Sequence, residues 1–136
     1  MIFKSILFYF VLAMFILSCG KDKEPTPNNQ NAIAGGTGGS NHLVVFTRRD
    51  KAQMASRVWL KYAAKLKPAD TSFYNEVYAT MTEPGYGPHA HFNGLKLGFY
   101  YLHAEGTYNG NLLLADSTIE ISSKVPSSWD ITLTLK

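Results

Sequence analysis

Three of the four histidines of this chain fall in one stretch, His89 to Gly106, which reads HAHFNGLKLGFYYLHAEG. His89 and His91 stand two apart, so on an extended strand they share a face with about 7 Å between them. His103 follows a glycine-bounded reversal and could lie across from the pair. Imidazoles that converge in this way hold Zn²⁺ or Cu²⁺. Glu105 is the nearest carboxylate to orient such ligands from behind. The competing expectation is a row of surface histidines on a solvated sheet face.

A second candidate is aromatic. Trp59, Phe99 and Tyr101 fall on the outward side of their strands, with His103 beside them. Exposed aromatic surface of this kind takes a protein partner, a sugar or a second copy of the chain. A loop over residues 63 to 75 or 107 to 116 could equally fold over and bury it. Catalytic patterns are missing. There is no nucleophile elbow and no glycine-rich phosphate loop, and Glu76, Glu83, Glu105 and Asp116 are scattered without acid–base spacing. The expectation is a protein that is not an enzyme.

Strands position all these residues. Along Phe99 to Glu105, Tyr100, Leu102 and Ala104 share one face, while Phe99, Tyr101, His103 and Glu105 share the other. Ala90 and Phe92 match the first set, His89 and His91 the second. A slip of one residue would bury the histidines and expose Leu102, so the pattern sets the register. Asn93-Gly94 and Gly98 give the backbone freedom for a reversal, and the stretch is expected to form a hairpin. Further strands are expected at Leu43–Thr47, Val58–Tyr62, Glu76–Met81, Ser117–Ser122 and Asp130–Lys136. A turn is expected at Asn109-Gly110. Leu112–Leu114 reads as strand or buried segment. Helical spacing is arguable from Gln53 to Lys67, but Val58, Trp59 and Tyr62 favour strand. About seven short strands imply an all-β, antiparallel, Ig-like or prealbumin-like β-sandwich over residues 42–136.

The chain has 136 residues, 46% apolar, with net charge +3. Removal of residues 1–18 would take away Lys4 and leave +2, too mild a balance to favour nucleic acid. Residues 19–41 are rich in Pro, Asn, Gly and Ser and read as a flexible linker. Ahead of them runs IFKSILFYFVLAMFILSCG, too short and wrongly flanked for a membrane span. It resembles a bacterial lipoprotein signal, with Ile16-Leu17-Ser18-Cys19 as the lipobox. The resemblance implies cleavage before Cys19, acylation of its thiol and of the freed amine, and a stable lipid anchor. An uncleaved anchor helix is the alternative. Cys19 is the sole cysteine, so the mature domain would have neither disulfide nor thiol chemistry. The following Lys21-Asp22-Lys23-Glu24 resembles the charged signals that route lipoproteins to the outer membrane, periplasmic or surface-exposed. An ordinary solvated linker is the other reading.

Phe92-Asn93-Gly94-Leu95, Gly98, Tyr100 and Leu102 together resemble the F-x-G-L-x-x-G-x-Y-x-L pattern of carboxypeptidase-regulatory-like, collagen-adhesin B-type and transthyretin-like sandwich domains. The resemblance implies that Val58–Tyr62 and Phe99–Glu105 share a sheet. It implies no activity, because such domains serve as stalks, spacers and binding modules. The self-formed Lys–Asn crosslink of the adhesin domains is not expected, since Glu105 faces outward and ITLTLK has no asparagine. Nor does the chain end in the Tyr-Arg-Gly-Ser of the related hydrolases. The expectation is thus a membrane-anchored envelope lipoprotein with a structural or binding role. The alternatives are a metal binder using His89, His91 and His103, and a glycan-binding accessory using Trp59, Phe99, Tyr101 and His103.

Overall fold

A computed structural model describes residues 35–122 and 128–136. The expected lipoprotein signal, Cys19 and the charged residues after it lie outside the described residues. The strands are β1 (Thr37–Arg49), β2 (Ala52–Gln53), β3 (Arg57–Tyr62), β4 (Glu76–Ala79), β5 (Met81–Glu83), β6 (Gly87–Leu95), β7 (Gly98–Tyr108), β8 (Asn111–Ile121) and β9 (Ser128–Thr134). One sheet runs β2-β1-β6-β5, with β9 also on β1, and the other runs β4-β3-β7-β8. The two sheets pack face to face as an all-β sandwich. Every pairing is antiparallel except β1 with β9, which is parallel.

The alternation expected from the sequence is the one observed. Leu43, Val45, Ala90 and Phe92 face Val58, Leu60, Tyr100, Leu102 and Ala104 across a dry layer, all of them at most 1% exposed. Leu133 and Leu135 close it from the C-terminal strand. Each large apolar side chain buried there contributes about 1.5–3 kcal/mol. An exposed ion pair such as Arg49–Asp50 contributes about 0–1 kcal/mol, so the layer and not the surface charge holds the fold.

Several expectations need correction. The described residues contain nine strands, not seven: Ala52–Gln53 adds β2 on β1, and Glu76–Met81 divides at Thr80, with β4 joining β3 in one sheet and β5 joining β6 in the other. β6 and β7 do not form a hairpin. β6 pairs with β1 and β5, β7 with β3 and β8, and Lys96-Leu97 carries the chain across the sandwich. Three steps of extended chain reach about 10 Å, the spacing of packed sheets. Alternation is satisfied equally by a hairpin or by this arch, so only the partners decide. The turn expected at Asn109-Gly110 does form a hairpin, β7–β8, with φ of 49° and 79° as a two-residue type I′ turn requires. Leu112–Leu114 belongs to β8, with Leu112 and Leu114 exposed.

The linker also ends earlier than position 41. β1 begins at Thr37, and Tyr100 pins the residues before it. The Tyr100 hydroxyl accepts from the Gly36 amide at 3.0 Å and donates to the Lys96 carbonyl at 2.6 Å. A flexible composition is overridden here because a fully buried phenol must find partners. Tyr100→Phe should therefore lower unfolding free energy by about 1–3 kcal/mol. Hydrogen exchange should show the amides of residues 36–41 opening faster than the core strands.

Candidate functional site

The two outer faces of the sandwich carry separate polar clusters, and the four histidines divide between them. His42, His89 and His91 stand on the β1/β6 sheet. His103 stands on the opposite outer face, because β6 and β7 belong to different sheets. The expected trio of His89, His91 and His103 is therefore not assembled: the first two are neighbours and the third is across the core.

On the β1/β6 face, Glu83, His89 and His91 bring ligand atoms within 4.8 Å of one another. β6 supplies both imidazoles from alternate positions, and their rings sit 4.6 Å apart. Glu83 arrives through the tight turn Glu83-Pro84-Gly85-Tyr86. The Tyr86 amide donates to the Glu83 carbonyl at 3.1 Å, and Gly85 has φ of 88°. Pro then Gly at the two central positions is the signature of a type II turn. That turn folds β5 back on β6 and sets Glu83 opposite Gly87. Gly87 has φ of 73°, which strains any side chain, and a Cβ there would displace the Gln53 carboxamide. Gln53 Nε2 donates to the Tyr86 carbonyl at 3.0 Å and holds the turn.

His89 is only 2% exposed, flanked by Phe46 at 5.4 Å and Tyr86 at 6.2 Å between ring centres. Its Nδ1 lies 2.7 Å from the Gly87 carbonyl, which can only accept, so Nδ1 carries the proton. In the neutral ring Nε2 then offers its lone pair, 3.8 Å from Glu83 Oε2. A backbone carbonyl behind a ligating imidazole is the usual device that fixes tautomer and ring orientation. His91 Nδ1 lies 2.7 Å from His42 Nε2, and those rings stack at 4.9 Å. Burial, and then the neighbouring His89 and His42, hold the His91 pKa below the ordinary range, which favours the neutral, ligating form.

The β3/β7 face is closed. Trp59, Tyr101 and His103 do share one sheet face, as expected, with Trp59 opposite His103 and Lys61 opposite Tyr101. They make no exposed aromatic surface. Tyr101 is 9% exposed and His103 4%, while Trp59 and Phe99 are half-buried. The cover is the segment over residues 63–75. Tyr74 lies on His103 at 6.0 Å, Lys65 sits over the Phe99 ring at 3.7 Å, and Lys67 pairs with Asp116 at 2.9 Å. Residues 107–116 do not fold over the face as a loop, being part of the β7–β8 hairpin.

Beneath this cover His103 is fully engaged, with Nδ1 2.7 Å from Asp116 and Nε2 3.0 Å from Glu105. Both ring nitrogens face carboxylate oxygens. Glu105, expected behind a metal ligand, is therefore an ion-pair partner, and neither His103 nitrogen is left for a metal.

Sequence reasoning missed His42 and Glu83 as members of the histidine cluster. Glu83 was legible in the Pro84-Gly85 turn, which brings the residue before it beside the strand after it. His42 had no local signal, because its place beside His91 comes from β1–β6 pairing 49 residues apart in sequence.

No protein-family model, curated protein or solved structure matches the chain. The resemblance to sandwich families therefore rests on the residues quoted for it alone.

Burial pushes the Asp116 carboxyl upward, but Lys67 and His103 outweigh it and hold the carboxyl below its ordinary range. A group depressed in the folded state stabilises above its unfolded pKa, about 3.9, and this contribution is lost as pH falls through the folded value. Urea midpoints followed from about pH 5 to about pH 2 should fall more steeply for the wild type than for Asp116→Asn, the two converging at the acid end.

Proposed function

We propose that this chain is a lipid-anchored envelope protein whose β-sandwich binds a divalent transition metal, Zn²⁺ or Cu²⁺, on its β1/β6 face. The observation that carries the reading is the convergence of Glu83, His89 and His91 within 4.8 Å. Donors on a shared Zn²⁺ or Cu²⁺ stand about 3–4 Å apart. The half-exposed Glu83 side chain closes that gap by rotation, while His89 is already fixed. Imidazole with carboxylate suits zinc and copper; magnesium and calcium prefer all-oxygen sites. The ion enters from solvent, since all three side chains rise from the outer face of one sheet. A glycan-binding role has less support, because Tyr101 and His103, expected to carry it, are buried, and Trp59 and Phe99 are half-buried.

The anchor is supported by Ile16-Leu17-Ser18-Cys19 and by a folded domain that begins some way beyond it, at Thr37. Whether the domain stands in the periplasm or at the surface, the tether sets it clear of the bilayer and leaves the β1/β6 face free. Metabolic labelling with a palmitate analogue should mark the wild type, and Cys19→Ala should lose both label and membrane fractionation. An unlabelled wild type would remove the anchor from the reading.

Calorimetric titration of the detergent-solubilised full chain with Zn²⁺ should give one site. His89→Ala and His91→Ala should each weaken it by more than the roughly 10–100-fold that loss of an outer-layer partner costs. At a hundredfold excess over Kd the metal should raise unfolding free energy by about 2.7 kcal/mol. The absence of both effects would end the metal reading.

A further inference from the structure

The cluster contains a further imidazole that the simplest donor set does not use. His42 lies on β1, diagonal to His91 on β6, whose register partner is Val44, and its Nε2 is 2.7 Å from His91 Nδ1. Alternation along β1 puts it on the outer face, beside an irregularity in the pairing. The β1–β6 register shifts between Asn41 and Leu43, from Asn41 opposite Leu95 to Leu43 opposite Phe92. The extra residue falls on β6, between Phe92 and Leu95. Asn41 Nδ2 donates to the Leu95 carbonyl at 2.9 Å and fixes the irregular stretch. His42 is thus held on the outer face, in line with Val44 and Phe46, and directed at His91.

Resting on the metal reading above, we propose that His42 is a ligand of the same ion, so that the site is built of three imidazoles and one carboxylate drawn from β1, β5 and β6. Two nitrogens bound to one ion at 2.0–2.1 Å stand about 3 Å apart. The His42–His91 pair opens by about 0.3–0.6 Å to admit the metal, and the His42 ring, which stands outside the 4.8 Å set of Glu83, His89 and His91, swings toward them. No proton need be lost overall: the ring that donates in the metal-free pair passes its proton, through water, to its other nitrogen. Both facing nitrogens then present lone pairs. The near-parallel stacking of the rings, 22° between planes, holds them together in the metal-free chain.

Three nitrogens and one oxygen favour Cu²⁺ or Zn²⁺ over any hard cation. The ligation would also fasten the start of the folded domain to its neighbours. His42 is five residues beyond Thr37, the first residue of β1, so the metal would tie the strand that follows the tether to both β6 and the β5 turn. Metal occupancy would then reach the root of the tether, whereas a site on Glu83, His89 and His91 alone would join only β5 and β6.

The test counts imidazoles. The full chain in detergent is loaded with one equivalent of Cu²⁺ and examined by continuous-wave and pulsed electron paramagnetic resonance, in which remote imidazole nitrogens modulate the echo. The wild type should show three equatorial imidazoles, His42→Asn two, with Cu²⁺ affinity lowered at least about tenfold. His103→Gln should leave the spectrum unchanged, since His103 lies on the other sheet. A wild-type spectrum with two imidazoles, or one that His42→Asn does not alter, overturns the role of His42 while the metal reading stands. A wild type that binds neither Cu²⁺ nor Zn²⁺ overturns the metal reading itself. The wild-type count is read without any variant, so a His42→Asn chain that fails to fold does not decide the outcome.

Discussion

The apolar layer between the two sheets constrains everything outside it. Successive side chains on a strand point to opposite faces. Once Val45, Phe92, Leu60 and Leu102 are committed to the layer, their neighbours His91, Trp59 and His103 must face outward. The polar chemistry of this chain is therefore the complement of its core, imposed by the same alternation. A sandwich has two outer faces, and the arch between β6 and β7 sends adjacent stretches of sequence to opposite ones. His91 and His103, twelve residues apart, end on opposite sides of the molecule.

The two faces then meet different fates. On the β3/β7 side the 63–75 segment lies over the sheet, and His103 is held between Asp116 and Glu105 while Lys67 pairs with Asp116. Both His103 nitrogens are spent on partners. Such a network specifies how the segment docks but leaves nothing for a ligand. The β1/β6 side has no such cover over Glu83. There His89 is fixed from behind by a carbonyl, and His42 and His91 face each other with a single hydrogen bond between them. Donor capacity is held in place without being used up, which is the condition a metal site needs.

Turn chemistry links the fold to this asymmetry. The Pro84-Gly85 turn and the absence of a side chain at Gly87 bring the carboxylate to the imidazoles, and the Gln53 contact holds that corner. These are local features with a consequence several residues away. The division of Glu76–Glu83 at Thr80 serves the same end. It frees β5 from the sheet of β4 and hands it to β6, so that Glu83 and His89 share a face.

Strand periodicity, the inward set from Val58 to Ala104, the Asn109-Gly110 hairpin and the outward direction of all the histidines follow from local chain physics, because side-chain alternation and turn geometry act over a few residues. Which strands become partners does not. Leu43–Phe46 against Phe92–His89, and Trp59 against His103, are pairings across some 45 residues. Alternation is indifferent to whether β6 folds onto β7 or away from it. Only the packed sandwich, in which each apolar face must meet another and each strand edge must find a partner, selected the arch. That selection placed His42 and Glu83 beside His89 and His91, and left His103 on the far side.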